Sequence, residues 1–163
     1  MRRLAALSFA LIAVLIGFFF SRYSQQNRET RVQSTARRQV IQPANYKPTP
    51  SPLSPAILVG DTLYLSGSTG GDPVTGQIVQ GGFEPELRQI MSNVQTVLKG
   101  ADMDLTDVVA VTAYIADMAD FARFNEIYRE YFKEPFPTRS TVAVKELARN
   151  ARIELTLTAV RSK

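Results

Sequence analysis

Two segments of the chain carry apolar residues at the spacing of an amphipathic α-helix. In the first, apolar residues recur every three or four positions, Pro85 stands where the first turn would begin, and Gly100 follows the last of them. In the second, Asp120 precedes a mainly aromatic stripe, and Pro135 follows it. The pattern therefore predicts two helices that each bury one face. Their apolar positions are Leu87, Ile90, Met91, Val94, Val97 and Leu98 in the first, and Phe121, Phe124, Tyr128, Tyr131 and Phe132 in the second.

The other apolar runs of the C-terminal two thirds have the composition of β-strands. Gly60 and Asp61 separate two of them, which is typical of a hairpin with a tight turn. A β-branched run at residues 108–115 is typical of a strand buried on both faces. The glycine-rich residues 67–82 are interpreted as a loop. The predicted strands are residues 57–59, 63–66, 108–115, 140–144 and 153–160.

The order of the predicted elements is β-β-α-β-α-β-β. This order predicts an α+β domain with a single mixed β-sheet and two helices on one face of it. The other face also carries apolar side chains, and no predicted helix is left to cover it. We therefore expect the domain to associate with copies of itself through that face.

The N-terminal residues differ, because their apolar positions are continuous. Residues 4–20 contain no charged side chain and follow Arg2 and Arg3. A helix of that length would measure about 25 Å, near the lower limit for crossing a bilayer. The run ends in three phenylalanines rather than in the small residues of a cleavage site. We therefore expect a signal-anchor here rather than a cleaved signal peptide, and a mitochondrial presequence is the weakest alternative.

This interpretation divides the chain into three parts. Residues 1–20 are a signal-anchor or signal peptide, residues 21–50 are a polar linker without an apolar period, and residues 51–163 are the folded domain. The signal-like layout predicts a membrane-anchored protein whose domain faces the periplasm or another extracytoplasmic space. The arginines that follow the apolar run favour a cytoplasm-facing domain, which stays open as the alternative.

Charge and composition narrow the classes of function. Residues 1–50 hold eight Lys or Arg and one acid, whereas residues 51–163 hold eleven Lys or Arg and fourteen acids. The folded part is therefore mildly acidic, and no nucleic-acid partner is expected. The absence of Cys and His excludes thiol nucleophiles, disulfides, Cys/His zinc sites and imidazole as a base. An enzyme of this composition must transfer protons with a carboxylate, a Tyr, a Lys or a water molecule.

Three motifs together resemble the RidA (YjgF) family. Residues 135–161 (PFPTRSTVAVKELARNARIELTLTAVR) are similar to its C-terminal signature, F-P-x-R-S followed by a strand, a loop and [KR]-I-E-[IL]-x-x-x-A-V-R. Residues 63–67 match its early strand ending in S-G, and residues 120–132 match its second helix. Each motif is weak alone, but together they cover residues 52–161 in the family's order. The resemblance implies a chorismate-mutase-like (YjgF-like) fold that forms homotrimers with clefts between the subunits.

The resemblance also implies a reaction. Relatives with the matching arginine hydrolyse reactive 2-enamino and 2-imino acids of the 2-aminoacrylate type to 2-oxo acids and ammonia, and neither a metal nor a cofactor is implied. Arg139 matches the arginine that binds the substrate carboxylate, because a guanidinium offers two parallel hydrogen bonds. Glu154 matches the acid that holds or activates water. The matching substrate-binding positions are Ser66, Gly67, Asn125 and Thr141.

The chain departs from the family pattern at two positions, of which Leu53 matters more than Thr141. Leu53 stands where the best-known deaminases have an aromatic residue, usually Tyr, and Thr141 stands where they have Cys. If the tyrosine hydroxyl is required, Leu53 cannot replace it. Leu53 therefore favours, as the first alternative, a non-catalytic trimer that binds small carboxylates or partner proteins at a membrane. An endoribonuclease, a label attached to some relatives, is the weaker alternative. Arg149 and Arg152 are interpreted as belonging to a surface loop and a strand end.

Overall fold

The strands form one mixed β-sheet within the compact unit Arg38–Lys163. The computed structural model describes residues 17, 21–23, 37–43 and 51–162. Within these residues the sheet has seven strands: β1 (Gln39–Ile41), β2 (Ala56–Val59), β3 (Thr62–Leu65), β4 (Ser68–Thr69), β5 (Val108–Ile115), β6 (Thr138–Ala143) and β7 (Ile153–Val160).

The order of the strands across the sheet is β1-β2-β3-β7-β5-β6, and the short β4 pairs with β7 beside β3. The β5–β6 pair is parallel, and the other pairs are antiparallel. Two helices, α1 (Phe83–Lys99) and α2 (Phe121–Tyr131), connect the β4 region to β5 and β5 to β6. A parallel neighbour requires a crossover connection, which α2 provides between β5 and β6.

The hydrophobic core lies between the two helices and one face of the sheet. Alternate residues of β7 are fully buried there (Ile153, Leu155, Leu157 and Ala159), as the period of two requires of a strand with one core face. From the helices, Leu87, Ile90, Phe124 and Ile127 complete the same cluster. The predicted α+β class, with a single mixed sheet and two helices on one face, is confirmed.

Two short strands were not predicted. β1 lies inside residues 21–50, which the sequence analysis assigns to a polar linker, and pairs with β2 from Gln39 to Ile41. Only Ile41 of its three residues is buried, so β1 has no period that a pattern could reveal. β4 has two residues inside the predicted glycine-rich loop. The sheet therefore begins further upstream than residue 51.

The membrane-anchored location predicted from residues 4–20 is corrected. Within the part of the chain that the structure describes, no helix has both the length and the apolar character needed to cross a bilayer. Of residues 4–20, only Gly17 is described, and the rest of the expected anchor lies outside the described residues. The helical residues 21–23 are exposed and include the charged Arg22.

Candidate functional site

Arg139, in β6, lies against the aromatic side of α2. Its guanidinium carbon is 4.7 Å from the ring centre of Phe124 and 4.6 Å from that of Tyr128, within the range of cation–π attraction. Its Nη2 donates a hydrogen bond to Asn125 Oδ1 at 2.6 Å. Phe124, Asn125 and Tyr128 lie one, three and four positions apart, so they share one face of α2. The side chains of this face contact the guanidinium on several sides.

The Arg139 side chain forms part of an open pocket of about 270 Å³. The other residues that line this Arg139 pocket are Asn125, Tyr128, Arg129, Phe136 and Pro137. Among the described residues, no acidic side chain forms a salt bridge with Arg139. Partial burial lowers the pKa of Arg139, but a guanidinium stays charged at physiological pH. The pocket therefore presents an uncompensated positive charge, which suits a carboxylate ligand.

Glu154, in β7, lies beside the turn that connects β3 to β4. Thr69 of β4 pairs directly with Glu154. The Glu154 carboxylate fills the space beside Gly67, where a Cβ atom would overlap Oε1. None of the described residues donates a hydrogen bond to this carboxylate at hydrogen-bond distance. Its oxygens are therefore available to accept a proton or a hydrogen bond from water.

The Glu154 carboxylate lines a second pocket, of about 590 Å³, which we call the Glu154 pocket. Ser66, Gly67, Leu53 and Arg149 also line it. Ser66 Oγ donates a hydrogen bond to the Ser54 carbonyl at 2.7 Å, so the hydroxyl links the segment before β2 to the residue that follows β3. Leu53 therefore lines the same pocket as the Glu154 carboxylate.

Within one copy of the chain, Arg139 and Glu154 lie on opposite faces of the sheet. Arg139 pairs with Val111 of β5, and Val111 pairs with Leu157 of β7. Paired side chains share a face, so Arg139 lies on the core face with Leu157. Glu154 precedes Leu157 by three positions and pairs with Tyr114, so its side chain points to the other face. The two groups accordingly line different pockets.

The remaining predicted site residues follow this division. Asn125 accompanies Arg139, whereas Ser66 and Gly67 accompany Glu154. Thr141 is half-buried in β6 on the same face as Arg139 and lines neither pocket. The structure thus brings the expected residues together as two sets rather than one.

The sequence does not indicate that Phe124, Tyr128 and Arg149 contact or line the candidate site. Phe124 and Tyr128 were assigned only to the core, although the same aromatic stripe also holds Arg139. Burial raises the pKa of Tyr128 to about 12, so its hydroxyl stays protonated. Arg149, interpreted as a surface-loop residue, also lines the Glu154 pocket, and its guanidinium donates to Thr69 Oγ1 at 2.7 Å. Its backbone is left-handed (φ 61°), a conformation that the sequence does not signal.

The chain is similar in sequence to a known family and to named proteins. Residues 45–161 match the family model described as Endoribonuclease L-PSP. The 2-iminobutanoate/2-iminopropanoate deaminase of Homo sapiens is 42% identical over 127 residues, which are 78% of this chain and 93% of that protein. A RutC family protein of Pyrococcus horikoshii is 42% identical over 104 residues, which are 64% of this chain and 82% of that protein.

Solved structures share the fold. The Rid family protein YyfA from Yersinia pestis aligns with a TM-score of 0.73 at 33% identity, covering 77% of this chain and 100% of that one. TdcF of E. coli with bound serine aligns with a TM-score of 0.70 at 29% identity, covering 76% and 99%. The expected YjgF-like fold is therefore confirmed. Because the match includes the segments that carry Arg139 and Glu154, the chain belongs to the endoribonuclease L-PSP family, the RidA (YjgF) family that its motifs resemble.

Proposed function

We propose that this protein is an imine deaminase that hydrolyses 2-enamino and 2-imino acids of the 2-aminoacrylate type to 2-oxo acids and ammonia. The observation that carries the proposal is the stacked guanidinium of Arg139 at an open pocket, without an acidic partner among the described residues. Relatives about 40% identical are named 2-iminobutanoate/2-iminopropanoate deaminase, and a solved relative binds serine, a small amino acid with a carboxylate.

In the proposed reaction, Arg139 binds the substrate carboxylate with two parallel hydrogen bonds and fixes the orientation of the imine carbon. The protonated imine is already electrophilic, so water needs only to be positioned and to lose a proton. Glu154 accepts that proton as the water oxygen bonds to C2, which gives a carbinolamine. Glu154 then returns its proton to the carbinolamine nitrogen. The C–N bond breaks as the hydroxyl oxygen forms the C=O bond and gives its proton to Glu154, and ammonia and the 2-oxo acid leave.

This mechanism needs two copies of the chain at each site, because Arg139 and Glu154 of one copy lie on opposite sheet faces. We infer a homotrimer in which the Arg139 pocket of one protomer meets the Glu154 pocket of the next. Support comes from the uncovered sheet face, which exposes about half of the Tyr64 and Val142 side chains. Exposed apolar side chains on an uncovered sheet face favour association with a second copy.

The test is ammonia release by the full chain from 2-iminopropanoate that an amino-acid oxidase produces in the assay. We expect the wild-type chain to accelerate hydrolysis and Arg139→Ala to remove at least about 99% of that acceleration, because the carboxylate loses its charge-assisted partner. Arg123→Ala is the matched control, since Arg123 lies on the exposed side of α2 and pairs with Glu84. Equal rates for Arg139→Ala and wild type would refute the proposed mechanism.

A second candidate is a small-carboxylate-binding protein without turnover. Leu53 favours it, since this exposed apolar side chain lines the Glu154 pocket where the best-known deaminases have an aromatic residue. Binding of 2-oxobutanoate by calorimetry that is lost in Arg139→Ala, combined with no ammonia release by the wild-type chain, would select this candidate. If Leu53→Tyr then produced turnover, the missing hydroxyl would be the cause.

A further inference from the structure

Glu86 is the single buried charged side chain among the described residues. It lies in the first turn of α1, and only 2% of it is exposed to solvent. A carboxylate withdrawn from water is costly unless hydrogen bonds or a cation compensate it. The groups that contact Glu86 therefore indicate which part of the structure its carboxylate stabilises.

The partners of the Glu86 carboxylate are backbone amides at the start of β7. Its Oε1 accepts from the Arg152 N–H at 2.9 Å and from the Ile153 N–H at 3.4 Å, and its Oε2 accepts from the Arg152 N–H at 3.1 Å. The guanidinium of Arg152 does not bind it, because it pairs with Asp120 at 3.4 Å. The carboxylate thus fixes the path of the backbone rather than neutralising a side-chain charge.

The side chain of Glu86 also lies against Gly70, directly after β4. A Cβ atom at Gly70 would overlap Glu86 Cγ and would come within 2.8 Å of the Glu86 carbonyl oxygen. The close approach of Glu86 therefore requires a glycine at position 70. α1, the end of β4 and the start of β7 therefore meet at Glu86, whose carboxylate binds the start of β7 and whose Cγ and backbone lie against the end of β4.

Both strands that hold Glu154 are fixed at this point. Ile153 directly precedes Glu154, and Gly70 directly follows Thr69, the residue paired with Glu154. Arg139 instead depends on α2 and β6, where its guanidinium contacts Asn125, Phe124 and Tyr128 rather than Glu86. We propose that Glu86 is a positioning residue for Glu154 in the deamination reaction, an inference that rests on the proposed function.

The test compares Glu86→Leu and Glu86→Gln in the ammonia-release assay on the full chain. Leu leaves the two amides without their acceptor, so β7 shifts beside Glu154, and we expect kcat to fall about tenfold or more. KM should stay within about twofold, because Arg139 binds the carboxylate on other elements. Gln retains one acceptor oxygen and should recover most of kcat.

Leu98→Ala is the control for a loss of core packing alone. Leu98 is fully buried in the last turn of α1 and contacts neither pocket, so its truncation should lower stability and leave kcat unchanged below the melting temperature. If Glu86→Leu does not fold, Glu86→Asp takes its place, since the shorter side chain keeps the charge but withdraws it from the amides. It should lower kcat about fivefold with KM unchanged.

The outcomes separate this inference from the proposed function. No ammonia release by the wild-type chain would overturn both. Wild-type turnover with an unchanged kcat in folded Glu86→Leu or Glu86→Asp would overturn the positioning role alone. A Gln variant as slow as the Leu variant, or equal effects on kcat and KM, would also overturn it.

Discussion

At the scale of residues, the two charged groups of the site are held by different means. Side chains hold Arg139, because two aromatic rings and an amide surround its guanidinium. Backbone pairing positions Glu154 between Thr69 and Tyr114, and its carboxylate occupies the space that Gly67 leaves open. Substitutions around Arg139 should therefore act through lost contacts, whereas substitutions around Glu154 should act through displaced backbone or lost space.

Gly67→Ala tests the space around Glu154. The new Cβ would overlap Oε1, which is the free end of a flexible side chain, so the carboxylate must turn away. We expect kcat for ammonia release to fall about tenfold, while the free energy of unfolding changes by less than about 1 kcal/mol. Gly100→Ala is the matched control, because Gly100 has ordinary backbone angles (φ −64°) and lies outside both pockets. Unchanged kcat in Gly67→Ala would show that the carboxylate position is not critical.

Glu86 also predicts how stability depends on pH. Burial raises the pKa of its carboxyl above 4.5, and the amides of Arg152 and Ile153 offset this only in part. The charged groups nearest to it, Arg152 and Asp120, act in opposite directions. Between pH 4.5 and the raised pKa, the folded chain therefore holds more protons than the unfolded chain, so this contribution to stability falls as pH rises.

The comparison with Glu86→Gln isolates this contribution, because the amide does not titrate. Urea denaturation at several pH values should show the wild type losing stability relative to Glu86→Gln as pH rises from about 4.5. A difference that is constant across that range, or that grows in favour of the wild type, would contradict the raised pKa.

At the scale of elements, the period of apolar residues predicted the helices and strands that are long enough to contain a full period. β5 and β7 have the predicted bounds, and α1 begins two residues before Pro85. β1 and β4 are too short for any period, and their pairing partners come from elsewhere in the chain. The motif match proposed Arg139 and Glu154 as site residues, and the alternation within β7 predicts the face that Glu154 occupies. The face of Arg139 follows from the register of β5 and β6, which no local pattern specifies.

The outer surfaces of the helices are joined by ion pairs. Arg88 of α1 binds Glu130 of α2 at 2.7 Å and Glu84 of its own helix at 3.0 Å. Both pairs are partly exposed, so water and salt screen them. We expect Arg88→Ala to lower the melting temperature by no more than roughly 3 °C, and this difference to disappear in about 1 M salt. A larger or salt-independent loss would mean that the methylene groups of Arg88 contribute packing.

At the scale of the whole molecule, the division of the site can be tested by mixing. Arg139→Ala and Glu154→Gln should each be inactive. Chains of both kinds, unfolded and refolded together, should regain activity, because about one shared site in four would combine an intact Arg139 with an intact Glu154 from a neighbour. Each variant refolded alone is the control. No recovery in the mixture, with trimers confirmed by light scattering, would place the whole site within one chain.

The short strand β1 also affects how the chain can be shortened. β1 covers the side of β2 with only three residues, and short outer strands offer few free backbone groups to another chain. Removing the first fifty residues would expose the backbone groups of β2 that now pair with β1, and would remove Ile41 from the core. In such a truncated chain, β2 would pair with strands of other chains and the protein would aggregate. A truncation that keeps residue 38 onward would retain β1 as the edge strand.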